Sequence, residues 1–319
     1  MNPLTGLYAA ATALRNRMYD RGQLTFRRLD RPVISVGNLS VGGSGKTPFV
    51  IALGKLLQSR GITFDVLSRG YGRKTSGVLQ VKSDGNASDF GDEPLLIAQK
   101  LAVPVIVGES RCAAGQFAEQ KFPSQLHILD DGFQHRSLYR DFDIVLLSAN
   151  DLSDKLLPSG RLREPLSSLQ RANAIVLPQD FSAPHQMIAD FARHKKPVWK
   201  MHREITIPAP VTAPIVFCGI ARPRQFFAQV RATGITPAAE IEFRDHHTYT
   251  ETDIARLLTM AAKLNAGSFL TTEKDAINLG SLRDRLQPFS AAGLTITLDR
   301  LDDAVDAILT TIARSKPHS

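Results

Sequence analysis

Lys46 and Thr47 close a glycine-rich stretch, Gly42-Gly43-Ser44-Gly45, and stand just before Pro48. Residues of these types in this order suit a polyphosphate. Glycines let the backbone curl, so that successive N–H groups converge on phosphate oxygens. The Lys46 ammonium can reach the terminal phosphates, and the Thr47 hydroxyl can ligate Mg²⁺. The strict pattern has a glycine five residues before Gly45; here Ser40 takes that place. The apolar run Val33–Val36 precedes the loop, and Phe49, Val50, Leu53, Leu56 and Leu57 recur at helical spacing after it. Strand, loop and helix are the context this motif needs, with the helix N-terminus aimed at the anion.

Four further groups carry chemistry. Asp130 and Asp131 end the run Leu126–Leu129, where a P-loop protein holds its second metal anchor; the plain alternative is an acidic strand-to-turn pair. Gly91-Asp92-Glu93-Pro94 reads as a helix start, with Asp92 as cap and Glu93 in the first turn. It also reads as an acidic pair in which Asp92 is general base toward a hydroxyl. Arg69, Tyr71 and Arg73 lie among glycines after the second strand and suit a phosphorylated or sugar acceptor, or form a surface turn. Arg111, after Gly108-Glu109-Ser110, is placed to face the same cleft, and Gln134 lies in the polar turn after the acidic pair. Asp245-His246-His247 offers the orienting pair of acid–base catalysis, or loop histidines before a helix capped by Thr250. No third His or Cys stands at ligand spacing, which disfavours zinc. Thr272-Glu273-Lys274-Asp275 differs from the guanine-reading Asn-Lys-x-Asp because Lys274 and Asp275 are adjacent.

The elements that position these groups alternate. Strands are expected at Val33–Val36, Phe64–Leu67, Val103–Val107, Leu126–Leu129, Ile144–Leu147 and Ala174–Leu177. Helices fall at 46–60, 93–101 and 111–120. That is a βαβ series with a mostly parallel sheet between helices. Pro208, Pro210 and Pro214 mark 197–214 as a linker. A second α/β series follows, with strands at 215–218, 240–243, 268–272 and 294–298 and helices at 222–230 and 251–264. Two domains are expected: 1–207, which carries the glycine loop, and a smaller α/β domain, 208–319. Residues 150–171 read as a long loop.

The 319 residues carry 39 Lys and Arg against 31 Asp and Glu, a formal charge of +8. No apolar run is long enough to span a bilayer, and no secretory signal is evident. Cys112 and Cys218 form no disulfide or metal pattern, which fits a reducing compartment. The basic excess suits phosphate, nucleic acid or an anionic membrane. Leu4, Leu7, Tyr8, Ala11, Leu14 and Met18 recur at helical spacing near Arg15, Arg17 and Arg21. That pattern fits a basic helix lying on a bilayer, or one packed on its own domain. No DNA-reading motif is present.

In order along the chain, GGSGKTP, SRGYGR, GDEP, DDGFQHR and FRDHHTYT resemble the tetraacyldisaccharide 4′-kinase (lipid A 4′-kinase) family of Gram-negative bacteria. The resemblance spans nearly the whole chain. It implies a peripheral enzyme of the cytoplasmic face of the inner membrane. That enzyme would move the γ-phosphate of ATP, with Mg²⁺, to the 4′-hydroxyl of a tetraacyldisaccharide 1-phosphate. By resemblance, Gly42, Gly43, Ser44, Gly45, Lys46, Thr47 and Pro48 bind nucleotide. Thr47, Asp130, Asp131 and Glu93 form the metal site. Asp92 is the base, supported by His246 rather than His247, and Lys46 serves the transferred phosphate. Arg69, Tyr71, Arg73, Arg111 and Gln134 are acceptor residues. The alternative is a P-loop kinase or ligase for a soluble metabolite, which would work without lipid; a partner-regulated ATPase is a further rival. Oligomeric state does not follow from the residues.

Overall fold

A computed structural model describes residues 3–43, 45–181, 185–208 and 210–315. Ser44 lies outside the described residues. The N-terminal helix α1 (Pro3–Asp20) is followed by β1 (Val33–Asn38), the glycine loop and α2 (Lys46–Ser59). Next come β2 (Phe64–Ser68), the short β3 (Leu79–Gln80), the single turn α3 (Ala87–Phe90), α4 (Asp92–Leu101) and β4 (Val105–Val107). Then α5 (Arg111–Lys121), β5 (Leu126–Asp130), β6 (Phe142–Leu146), β7 (Ala174–Pro178), α6 (His185–Arg193) and β8 (Val198–Thr206) complete the first lobe's series. The second lobe has β9 (Pro214–Cys218), α7 (Pro223–Ala232), β10 (Ala239–Glu242), α8 (Glu251–Leu264), β11 (Ser268–Thr272) and α9 (Glu273–Leu279). The chain ends with β12 (Phe289–Leu298) and α10 (Leu301–Ser315).

The expected α/β class and mostly parallel sheet are what the chain forms. The described strands join in one twelve-stranded order, β10-β9-β11-β12-β8-β7-β6-β1-β5-β2-β4-β3. Pairing is parallel except at β12–β8 and β3–β4. Parallel strands covered on both faces must be apolar throughout, and β1, β2, β5 and β6 are buried along their whole length. Helix α2 buries Phe49, Val50, Leu53 and Leu57 in the core it shares with these strands. Strand β1 lies between β5 and β6, so the glycine loop and Asp130 emerge side by side at the carboxyl ends. Ligands of open α/β sheets collect there.

Two features depart from the expected layout. Half of 197–214, read as a linker, is strand β8: buried Trp199 and Met201 alternate with half-buried Lys200 and exposed His202. Its charged face and trailing prolines hide a strand that pairs antiparallel with residues 293–298 of β12. Strand β12 serves both lobes, since Phe289–Ala292 pairs parallel with β11. The chain then returns to the first lobe. In α10, Ala304, Ile308 and Ile312 pack in the core that holds Phe49, Phe142 and Trp199. No helix among the described residues is long and apolar enough to cross a membrane.

Candidate active site

The glycine loop turns on three glycines with left-handed backbone, Gly42 (φ 77°), Gly43 (φ 50°) and Gly45 (φ 83°), where a side chain would be strained. The loop is braced by residues 161–163. Val41 N–H donates to the Arg161 carbonyl at 2.8 Å, and Arg163 N–H donates to the Leu39 carbonyl at 2.6 Å. Lys46 starts α2 with its ammonium 3.2 Å from Asn38 Oδ1 and 3.4 Å from Asp131 Oδ1. Thr47 is buried beside it.

Strand β5 delivers the acidic pair to this loop. The Asp130 carboxyl is buried and accepts from Ser68 Oγ at 3.3 Å, while its Oδ1 has no hydrogen-bond partner. Burial, then the charges of Glu93 and Asp131, push Asp130 up to about 7, against the pull of Lys46. Asp131 has left-handed backbone (φ 51°). Despite desolvation, Lys46 and Arg163 hold Asp131 below the usual carboxylate range. The Arg163 guanidinium bonds it at 2.8 Å and 2.9 Å. Gln134 donates to the Asn38 carbonyl at 2.8 Å, which ties the turn after β5 to the end of β1.

Across the cleft stands Asp92, the first residue of α4. Gly91 (φ 89°) turns the chain into that helix, and a Cβ there would stand 2.9 Å from the Tyr71 carbonyl. The cap of α4 is Gly91 and not Asp92 as expected, because the left-handed turn at Gly91 already starts the helix; Asp92 Oδ1 accepts from the adjacent Glu93 N–H at 2.8 Å. Its Oδ2 faces the second lobe: His246 Nδ1 at 3.0 Å, Asn278 Nδ2 at 3.1 Å and Lys274 Nζ at 3.7 Å. Burial works to raise Asp92, yet the bonds and charges of His246 and Lys274, with Asn278, bring it below the usual range. The hydrogen bond to Asp92 raises His246 in turn, against burial. Lys274 also meets Glu93 Oε1 at 3.0 Å and His246 Nε2 at 3.3 Å. Although burial opposes it, Glu93 and Asp92 raise its pKa.

The segment around 243–250 is built to present His246. His247 stacks on Phe243 (4.7 Å between centroids) and meets Asp253 at 3.1 Å. Tyr249 donates to buried Asp275 at 2.9 Å, and the N–H of Gly219 donates to the same oxygen at 2.8 Å. His246, with left-handed backbone (φ 56°) and its N–H bonded to the Gly219 carbonyl, is left pointing at Asp92. Both histidines thus have partners, but only His246 reaches across the lobes.

The remaining expected residues divide. Arg73 is tied into its own loop, donating to the Gly77 carbonyl at 2.7 Å and to Glu109 at 2.5 Å. Tyr71 is exposed, its ring 5.2 Å from that of His246. Arg111 is buried, bonded to the carbonyls of Gly108 and Glu109, with no partner for its Nε. Burial and then the Arg69 charge lower Arg111. Desolvation, with Arg111, Arg140, Arg69 and Arg15, brings His135 down to about 4. A wall of positive potential therefore flanks the acidic pair. Asn38, Arg163, Lys274 and Asn278 were not expected. Two of them had a local signal: Lys274 stands in the Thr272–Asp275 run weighed above, and Arg163, in Gly160-Arg161-Leu162-Arg163-Glu164, in a basic cluster inside the long loop.

Helix α1 docks on that same loop through polar contacts. Tyr8 donates to the Arg163 carbonyl at 2.9 Å, Asn16 to Glu164 at 3.0 Å, and Thr5 meets Ser159 at 2.6 Å. Arg136 donates to the Asn16 carbonyl at 3.0 Å and to Asp20 at 2.7 Å. The helix buries Thr5 and Thr12 and leaves Leu4, Leu7 and Leu14 over 60% exposed (61%, 69% and 61%).

The oxygen donors Thr47, Asp130 and Asp131, one of them orphaned in a buried position, fit a hard divalent cation such as Mg²⁺. Among the described residues no three acidic, His or Cys side chains form a closed cage. That suits an ion whose shell is completed by phosphates and water. Chemically, the cleft can hold a polyphosphate at one wall and accept a hydroxyl proton at the other.

A profile of the family described as tetraacyldisaccharide-1-P 4′-kinase matches residues 1–313. A tetraacyldisaccharide 4′-kinase of Koribacter versatilis is 48% identical, covering 98% of this chain and 99% of its own. One of Geobacter metallireducens is 39% identical over 95% of each. Among solved structures, an "apo" form of LpxK from Aquifex aeolicus in complex with ATP is 36% identical, with a TM-score of 0.77, covering 97% of this chain and 98% of that one.

Proposed function

The chain belongs to the tetraacyldisaccharide 4′-kinase family, ATP-dependent kinases of lipid A biosynthesis, and on that premise we propose how its residues divide the work. The observation that carries the proposal is the bonding of Asp92 to His246 and Lys274 beside a glycine loop whose Lys46 meets Asp131. The loop N–H groups and Lys46 hold the β- and γ-phosphates of ATP. Thr47, Asp130 and Asp131 would hold Mg²⁺, with Glu93 nearby; bound there, the ion neutralises charge on the phosphates.

Asp92 orients the 4′-hydroxyl by accepting its hydrogen bond. Phosphoryl transfer passes through a loose transition state, so a strong base is not required. A carboxylate kept ionised by His246 and Lys274 takes the proton late, as the acceptor oxygen bonds to phosphorus and the bridging oxygen leaves. His246 and Lys274 are positioning residues: they hold Asp92 and touch no reacting atom. Arg69, Arg111 and His135 form the wall where an anionic acceptor lies, with Tyr71 and Gln134 at its edges. Arg73 acts indirectly, by fixing the loop that carries Arg69 and Tyr71.

The acceptor has four acyl chains and stays in its bilayer, since burying chains favours the membrane by about 0.8 kcal/mol per CH₂. Helix α1 supports docking to an anionic membrane surface, because its polar side faces the protein and its leucines face out, beside Arg15 and Arg17. Its partner loop also braces the glycine loop, which would bring the lipid surface close to the phosphate site.

The test is phosphoryl transfer from labelled ATP to the tetraacyldisaccharide 1-phosphate in detergent micelles. A bis-phosphorylated lipid is expected, with kcat lowered roughly 10²-fold or more in Lys46→Ala, the scale of losing one preorganised charge at the transferred group. Full activity of Lys46→Ala would remove the glycine loop from the reaction.

A further inference from the structure

Asp275 is a carboxylate with no exposed surface and no contact with the cleft's phosphate wall. It lies in the first turn of α9, next to Lys274 and three residues before Asn278, the two residues of that helix that face Asp92. Its bonds tie that turn to two other segments. Oδ2 accepts from Thr272 Oγ1 at 2.6 Å, and the Asp275 N–H donates to the same hydroxyl at 3.1 Å, which closes the cap of α9. Oδ1 accepts from Gly219, just after β9, and from Tyr249, just before α8.

Gly219 passes the constraint on. Its carbonyl accepts the His246 N–H at 3.0 Å. A Cβ on Gly219 would stand 2.8 Å from the Arg244 carbonyl and 3.2 Å from Asp275 Oδ1, so the three segments meet with no room for a side chain. His246 needs this support: a left-handed backbone (φ 56°) on a residue other than glycine persists only where its surroundings enforce it. Burial raises Asp275, against the bonds from Thr272, Gly219 and Tyr249. Burial and then Asp275 raise Tyr249, so its hydroxyl stays a donor to the carboxylate. A buried carboxylate is costly unless its hydrogen bonds are made, and here those bonds fix to each other the two pieces that converge on Asp92. One is α9, with Lys274 and Asn278; the other is the turn that carries His246.

We propose that Asp275 is a positioning residue of the phosphoryl transfer: it touches no substrate and sets, through Gly219 and the cap of α9, where His246, Lys274 and Asn278 meet Asp92. Tyr249 acts with it, as the second tie to the segment that presents His246. The proposal rests on the reading of Asp92 as the group that receives the acceptor hydroxyl and extends it to a buried network inside the second lobe.

The experiment measures kcat for lipid phosphorylation and KM for ATP in Asp275→Ala, Asp275→Asn and Tyr249→Phe, each made in wild type and in Asp92→Asn. Asp275→Ala should lower kcat about tenfold or more, since small misplacements of a group at the chemistry cost factors up to about 10². Tyr249→Phe should lower it roughly fivefold, the scale of one lost hydrogen bond. Asp275→Asn keeps an acceptor for Gly219 and Tyr249 and should recover most of the loss. KM for ATP should stay within about twofold, because no nucleotide contact is removed. In the Asp92→Asn background the same changes should cost no further kcat, because they act through Asp92. A merely structural Asp275 would lower kcat by the same factor in both backgrounds, and that result would overturn the proposal. So would an Asp275→Asn as poor as Asp275→Ala. If Asp275→Ala does not fold, Tyr249→Phe carries the test: a kcat equal to wild type, or a loss that persists in Asp92→Asn, would overturn the proposal. Near-native kcat of Asp92→Asn itself would instead overturn the underlying reading of Asp92.

Discussion

Asp92 is a buried carboxylate that stays acidic only because three side chains of the second lobe face it. The same contact raises His246 above the ordinary imidazole value. The sign of the pH dependence follows. A group raised in the folded state contributes its stability below its unfolded pKa and loses it as pH rises through the folded one; for a lowered carboxylate the loss comes on acidification. The pair therefore contributes most between the ordinary carboxylate and imidazole values, about pH 4 to 6.5. The melting-temperature difference between wild type and His246→Gln should be largest in that window and shrink as pH rises above it. A difference that grew with pH would show that His246 is neutral in the fold. At this scale the sequence was informative about single residues and silent about partners. Asp92, His246 and Lys46 stood out by type and spacing. Lys274 was noticed only in a run compared with a guanine-reading motif, and Asn278 not at all, because nothing local ties a residue of α9 to the first turn of α4.

The N-terminal helix is best judged as an element. Its apolar spacing was readable, but the direction of its faces was not: Tyr8, with a hydroxyl, turns to the protein, while Leu4, Leu7 and Leu14 stay outside. The reason is that the surface it docks on is polar, made of Ser159, Glu164 and the Arg163 carbonyl. Full burial of a leucine is worth roughly 1.5–3 kcal/mol. Replacing Leu7 and Leu14 by Ser should thus cut binding to anionic vesicles about tenfold or more, with little change in melting temperature, as both are exposed already. Unchanged co-sedimentation would refute a docking role. Strand β8 teaches the converse. Its alternation was masked by Lys200, His202, Arg203 and Glu204, and pairing with β7 on one side and β12 on the other makes it a strand.

Over the whole molecule, the α/β character and the carboxyl-end site were legible, because hydrophobic runs and the glycine loop are local signals. The return of β12 and α10 to the first lobe was not, since it depends on packing against Phe142 and Trp199 far away in sequence. The consequence is a second lobe entered by β8 and left by β12, two strands paired to each other, with His246, Lys274 and Asn278 facing back to Asp92. The central claim is that Asp92 acts on the acceptor hydroxyl and that His246 acts through Asp92. A double-mutant cycle on kcat for lipid phosphorylation tests this most directly. Asp92→Asn should lower kcat roughly 10²–10⁴-fold, His246→Gln less, and the double variant no further than Asp92→Asn alone, since the two residues work as one. Near-native turnover of Asp92→Asn, or losses that multiply in the double variant, would contradict the account.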